Sequence, residues 1–113
     1  MVKRGQIWWG DLDRPTGSEP GFPRPLLILQ SNFFNETALG TIVTVALTSH
    51  LGRAMMPGNV LLRRRETGMS RDSVVVVSQL VTVDRDQLLE KICTLGSDQM
   101  SVVEEGVRLL LDL

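Results

Sequence analysis

Apolar positions along this chain recur with a period of two or in short continuous runs, and only the C-terminal end carries helical spacing. In Gln6–Leu12, Ile7 and Trp9 alternate with Trp8, Gly10 and Asp11, which predicts a strand with one apolar face. Leu26–Leu29 is a short unbroken apolar run, as in a strand buried on both sides. Thr41–Leu47 is β-branched and apolar and reads as a third strand. Asn59–Leu62 reads as a fourth, closed by Arg63-Arg64-Arg65, whose side chains would alternate across it. Ser73–Val83 is the strongest strand pattern in the chain. Asp84 then opens a short helix, with Gln87 placed to complete a capping box. Lys91–Leu95 is a short closing strand. Gly96 turns, Ser97 caps, and Met100, Val103, Val107 and Leu110 form the stripe of an amphipathic helix. Gly106 weakens that helix by roughly 1 kcal/mol. Between these elements lie an eleven-residue loop, Arg14–Arg24, a polar connection, Asn32–Gly40, a second loop, Thr48–Gly58, and a turn, Glu66–Asp72. The order predicts a mainly β fold: a small antiparallel barrel or half-barrel with a C-terminal helix over one face. No glycine cluster joins a strand to a helix, so a dinucleotide or P-loop unit is excluded.

The 113 residues are enough for one domain, 1–113, with its own core, and neither a repeat nor a linker divides them. One cysteine, Cys93, rules out an internal disulfide and fits a reducing compartment. The start, MVKRGQIWWG, lacks a signal peptide's apolar run, and no run is long enough to span a bilayer. A cytoplasmic location without membrane contact is the expectation. Net charge is −1, which speaks against bulk electrostatic binding of nucleic acid. The distribution is less even. Residues 1–72 hold nine Lys/Arg against six Asp/Glu, and residues 73–113 hold three against seven. An anionic ligand is therefore expected on the N-terminal two-thirds.

The chemistry narrows by elimination. One cysteine and one histidine, His50, cannot build a structural zinc site without carboxylates. The pairs Asp11/Asp13 and Asp84/Asp86 read as a solvated edge and a helix cap, and neither a metal nor a cofactor is expected. There is no Gly-x-Ser-x-Gly elbow, and a ribonuclease working with two histidines is impossible with one. What remains is Arg24, held between Pro23 and Pro25, with Thr48, Ser49 and His50 after the third strand. Prolines on either side make a stiff mount for a permanently charged fork, which suits a phosphate. If strands two and three pair, these groups come close together. Cleavage of RNA by its own 2′-hydroxyl needs in-line geometry, charge stabilisation and proton transfer, but no metal and no protein nucleophile. Arg24 supplies charge and Thr48 a donor. An arginine stays protonated in almost any site, so Glu19 or His50 is the easier base. Trp8 and Trp9 are candidates for stacking on bases, although one of them is expected in the core.

Several segments together resemble the MazF/PemK-type toxins, the mRNA interferase half of type II toxin–antitoxin pairs. They are Lys3-Arg4-Gly5-Gln6-Ile7-Trp8 with Asp11-Leu12, Gly17-Ser18-Glu19-Pro20-Gly21 with Arg24-Pro25, Leu27 to Asn32, Ala46-Leu47-Thr48-Ser49, Arg71-Asp72-Ser73-Val74, Ser78-Gln79-Leu80 and Val81 to Asp84. The resemblance implies an SH3-like β-barrel of the CcdB/MazF type and a homodimer. It implies sequence-specific, metal-independent cleavage of single-stranded RNA to a 2′,3′-cyclic phosphate and a 5′-hydroxyl. Arg24 and Thr48 fall on the catalytic pair, and Ser18, Glu19, Asn32 and Gln79 on RNA contacts. Ser49 and His50, beside Thr48, complete the expected substrate-binding set. The implied partner is an antitoxin whose acidic, disordered tail occupies the RNA groove. Two departures, Phe22-Pro23 before Arg24 and Ser78 before Gln79, fall where bases would be read, so the cleavage sequence does not carry over. The alternative is a CcdB-like gyrase poison of the same fold, for which the apolar Val107–Leu113 is the relevant feature. A barrel that binds RNA without cutting it is a third.

Overall fold

The computed structural model describes residues 1–12, 17 and 22–113, with Phe22 described by its backbone alone. Among them, six strands form one antiparallel sheet: β1 (Gln6–Leu12), β2 (Phe22–Ile28), β3 (Thr41–Thr48), β4 (Val60–Leu62), β5 (Ser73–Asp84) and β6 (Leu88–Thr94). Their order is β4-β5-β3-β2-β1-β6. The edge strands β4 and β6 do not pair with each other, so the curled sheet is a half-barrel. Three helices accompany it: α1 (Asn32–Asn35), α2 (Arg64–Thr67) and α3 (Ser97–Leu111). No described helix is long and apolar enough to cross a membrane.

The sheet buries both of its faces in the middle. Ile7, Leu27, Val45, Leu47, Val75 and Val77 form one cluster with Met100 and Val103 of α3. Leu26, Ile28, Ile42, Ala46 and Val83 form the other, with Val2, Leu12 and Leu88. Neighbouring residues of β2 thus enter different clusters, which is why the strand reads as a continuous apolar run rather than an alternation. Each such side chain, fully buried, contributes roughly 1.5–3 kcal/mol.

Six local expectations are corrected. Arg24 lies inside β2, paired opposite Gly10 of β1, and not in a loop. The residue before a proline favours extended backbone, so Pro23-Arg24-Pro25 continues the strand instead of breaking it. Arg63–Arg65 does not extend β4. Arg63 caps α2, with its N–H donating to Glu66 Oε1 at 3.1 Å. Asn32–Gly40 opens with α1, and the loop after β3 winds into a 3-10 turn, Leu51–Met55. Gly96 rather than Ser97 caps α3, and its N–H donates to Gln99 Oε1 at 3.0 Å. Leu110 is 44% exposed, because α3 buries only Met100, Val103 and Gly106. The capping box at Asp84 holds: its N–H donates to Gln87 Oε1 at 2.8 Å.

The ladder between β2 and β3 is short, and the prolines explain it. Only Leu26, Leu27 and Ile28 find partners, in Ala46, Val45 and Thr44. The Leu29 N–H donates to the Val43 carbonyl, and Gly5 on the other side donates to Ile28. Backbone groups alternate sides along a strand, so the nitrogens of Pro23 and Pro25 face β3. Neither has a hydrogen to give. The next rung, Pro25 to Leu47, lacks its donor on the β2 side and is absent, and the strands splay. Beyond the splay, β3 turns to β5: Leu47 and Thr48 pair with Val75 and Val74.

A second constraint fixes α3. A Cβ on Gly106 would overlap the carbonyl of Gly58, itself at φ +86° in the turn before β4. Helix and turn touch backbone to backbone, an approach that only glycine permits.

Two outcomes follow from this geometry. Gly106→Ala should lower stability by about 1–3 kcal/mol in urea unfolding, despite alanine's better helix propensity, because the helix must lift from the turn. Ser101→Ala on the exposed face should cost nothing; equal effects at both positions would refute the close-contact argument. Pro25→Ala supplies the absent donor. The amide of residue 25 should then be protected in hydrogen exchange and the gap between β2 and β3 should narrow. An unprotected amide there would show that the prolines do not cause the splay.

Candidate functional site

The splay opens a recess of about 640 Å³. Arg24 and Pro25 form one side and Leu47, Thr48 and Ser49 the other, with Ser70 and Arg71 from the segment before β5 across the mouth. Trp9 of β1 and Ile92 of β6 supply an apolar wall. The expected approach of Arg24 to Thr48 and Ser49 is thus met, through the pairing of β2 with β3.

Each polar group is held by its element. Thr48 ends β3, and its Oγ1 accepts the N–H of His50 at 3.2 Å. The hydroxyl proton is left to be donated elsewhere. Arg24 stands opposite Gly10, where a Cβ would overlap the buried Leu26 side chain. Arg71 follows the end of α2. There Gly68, at φ +78°, turns the chain and donates to the Arg64 carbonyl at 2.8 Å. Met69 N–H donates to Thr67 Oγ1 at 3.1 Å. Asp72, the next residue, is turned towards α2. Its Oδ1 accepts the Arg64 N–H at 2.8 Å, and its Oδ2 lies 3.8 Å from Arg63 Nη1.

The electrostatics are one-sided. Two guanidinium groups line the recess, and no carboxylate or imidazole does so among the described residues. Neither Arg24 nor Arg71 forms a side-chain hydrogen bond or ion pair with another described residue. Other arginines are engaged by the architecture. Arg4 meets Glu104 at 2.7 Å and donates to the Leu29 carbonyl at 2.9 Å; Arg85 donates to the carbonyls of Leu39 and Asn35. A concave site with uncompensated positive charge and hydroxyl donors favours an anion with several acceptor oxygens.

The remaining expected residues are spread more widely. His50 and its imidazole lie beside the recess rather than in its lining. Asn32 is elsewhere, its Oδ1 accepting from the Arg4 N–H at 2.8 Å and from Asn35 Nδ2 at 3.1 Å. Gln79 is half-buried in β5, has a partner within the protein, and does not line the recess. Ser18 and Glu19 lie outside the described residues. Of the two tryptophans, Trp8 packs against the second core cluster and donates from Nε1 to Gln6 Oε1 at 2.9 Å, whereas Trp9 is 40% exposed at the recess. Ser70 and Arg71 were not assigned a site role from sequence. The signal was Arg71-Asp72-Ser73 in the basic part of the chain, but nothing local shows that Asp72 bonds to the Arg64 N–H and Arg63 rather than pairing with Arg71. The described residues contain no cluster of three His, Cys, Asp or Glu side chains that could hold a metal ion. Burial pushes the Cys93 thiol above its ordinary range, against a smaller opposing pull from Lys91, which disfavours the thiolate.

Comparison with known proteins places this site in context. Residues 3–111 match the family described as PemK-like, MazF-like toxin of type II toxin-antitoxin system. Endoribonuclease MazF6 of Mycobacterium tuberculosis is 38% identical over 113 residues, which span all of this chain and 99% of that protein. Endoribonuclease EndoA of Bacillus subtilis is 34% identical, over all of this chain and 97% of its own length. Among solved structures, MazF from Deinococcus radiodurans superposes with a TM-score of 0.82 at 24% identity, covering 99% of this chain and 97% of that one. A mycobacterial endoribonuclease in complex with its cognate antitoxin gives 0.79 at 23%, covering 100% and 97%. At those identities the structural likeness establishes the fold.

Proposed function

The chain belongs to the PemK-like, MazF-like toxins of type II toxin–antitoxin systems, and from that premise we propose that it is an endoribonuclease with its reacting centre between Arg24 and Thr48. The observation that carries the assignment is the recess itself, which the Arg24 guanidinium and the fixed Thr48 hydroxyl line together and which no carboxylate lines among the described residues. The gyrase-poison reading loses its ground, because the matched family and the named relatives are MazF-like toxins and endoribonucleases.

The proposed reaction is metal-independent transesterification of single-stranded RNA. The 2′-oxygen attacks the adjacent phosphorus in line as its proton passes to a base, for which Glu19 or His50 is the proposed acceptor, and the 5′-oxygen leaves and takes up a proton in return, giving a 2′,3′-cyclic phosphate and a 5′-hydroxyl. Negative charge grows on the non-bridging oxygens. Arg24 stabilises it through its fork, and the Thr48 hydroxyl donates a hydrogen bond to one of them. The described lining holds no carboxylate or imidazole, so what it contributes is charge and geometry. Trp9, beside the reacting centre, is the platform on which a neighbouring base stacks. Ser18, Glu19, Ser49, His50, Asn32 and Gln79 are the remaining proposed RNA contacts. The proposed setting is a cytoplasmic homodimer of a single domain, restrained by an antitoxin whose acidic disordered tail competes for the same positive recess.

Mixed-sequence single-stranded RNA incubated in EDTA should be cut at discrete positions with cyclic-phosphate ends; intact RNA would sink the nuclease reading. Arg24→Ala should lower kcat by roughly 10²–10³ while the protein stays folded. Arg24→Lys should fail nearly as badly, for want of the bidentate fork. Wild-type rates from the alanine variant would move the centre elsewhere. Trp9→Ala should raise KM about tenfold, within the range for loss of one base stack, with kcat little changed. Trp9→Phe should recover most of that affinity. A fall in kcat alone would give Trp9 a different role.

A further inference from the structure

A second recess, of about 390 Å³, adjoins the first. The two share Ser49, Ser70 and Arg71, so they are continuous along one wall. Arg64 lies at the far side of the second recess, and Leu51 supplies an apolar edge. Asp72 also lines it, but its carboxylate is already engaged by the Arg64 N–H and by Arg63. What the second recess offers a ligand is therefore Arg71 at the junction, Arg64 beyond it, and two hydroxyls between. Both arginines are exposed, and their guanidinium groups make no hydrogen bond or ion pair with other described residues. An RNA strand carries a phosphate at every nucleotide, so a strand with its reacting phosphate on Arg24 must place the next one nearby. The continuous wall gives that phosphate a place.

We infer that Arg71, with Ser70, forms a subsite for the phosphate adjacent to the scissile one, and that Arg64 extends it along the strand. This rests on the endoribonuclease reading of the Arg24 recess. The subsite holds a group that does not change during the reaction. Its binding energy is felt equally in ground state and transition state, so it acts on KM and leaves kcat nearly untouched. A single phosphate contact also contributes to the salt dependence of binding, with a slope of about 0.7 per phosphate neutralised on a single strand.

The test uses a twelve-nucleotide RNA around a mapped cut site. One version carries a 2′-deoxy sugar at that site, so that binding is read without cleavage. Two further versions replace the phosphate on the 5′ or the 3′ side of the cut with a neutral methylphosphonate. Arg71→Ala should weaken binding of the all-phosphate strand about tenfold and flatten the log–log salt slope by about 0.7. On the cleavable strand it should raise KM and leave kcat within twofold. On one of the two methylphosphonate strands the variant and wild type should bind alike. Arg71→Lys should restore most of the loss, because a point charge suffices for an unchanging phosphate. Unchanged binding, an equal loss on both methylphosphonate strands, or a fall in kcat at constant KM would overturn the subsite. If the wild type binds mixed-sequence single-stranded RNA but cuts none, the nuclease reading falls, and comparing Arg71→Ala with wild type for affinity and salt slope on that RNA still decides whether Arg71 holds a phosphate.

Discussion

The site depends on a hydrogen bond that cannot form. Pro25 presents its nitrogen towards β3 where an N–H would extend the ladder to Leu47, and the two strands part after Leu26 and Ala46. A sheet rung contributes on the order of 1 kcal/mol net, little against the burial of the flanking Leu26, Leu27 and Leu47. Losing it therefore costs the fold little and opens the recess for Arg24 and Thr48. Thr48 remains positioned because β3 passes to β5, where Val74 is its partner.

Charge in the recess is local, which reconciles an anion site with a net charge of −1. The acidic residues of the C-terminal part do not line it. At physiological ionic strength the screening length is about 8 Å, so an exposed carboxylate farther away than that has little effect on a phosphate at Arg24. Nearby acidity is handled by bonding. Asp72 is the carboxylate closest in sequence to Arg71, and its oxygens bond to the Arg64 N–H and Arg63 instead of pairing with Arg71. Were it turned to Arg71, the recess would lose half its positive charge.

Patterns set by burial were legible in the sequence. β1 has its expected bounds, β3 and β5 each run one residue longer, and α3 starts one residue after its glycine. Departures came where a residue has a second use. Prolines read as loop signals, yet in β2 they are extended residues with one unpaired side. Gly106 read as a weak point in a helix, yet its missing side chain lets α3 reach the Gly58 turn. Arg24 and Thr48 were legible as candidates because a stiff cation and a strand-end hydroxyl have few other uses together. Arg71 was not, because its availability depends on the orientation of Asp72, a tertiary fact. For the same reason no sequence pattern could choose Trp9 over Trp8; the choice follows from the Trp8 indole meeting Gln6.

Stability and chemistry reside in different residues. The two clusters that hold the sheet together are aliphatic apart from Trp8 and sulfur-bearing side chains, and none of Arg24, Thr48, Ser70 and Arg71 belongs to them. The polar residues of the recess project from the N-terminal half of β2, from the end of β3 and from the turn after α2, where their removal leaves no core cavity. Arg24 sits closest to the boundary, since Gly10 opposite it makes room for Leu26. A bulkier residue at position 10 would press on Leu26 and so move the strand that carries the arginine, whereas truncating Arg24 itself leaves that packing intact. Loss of activity in the two cases would have different causes. The first displaces the backbone that mounts the charge; the second removes only the charge.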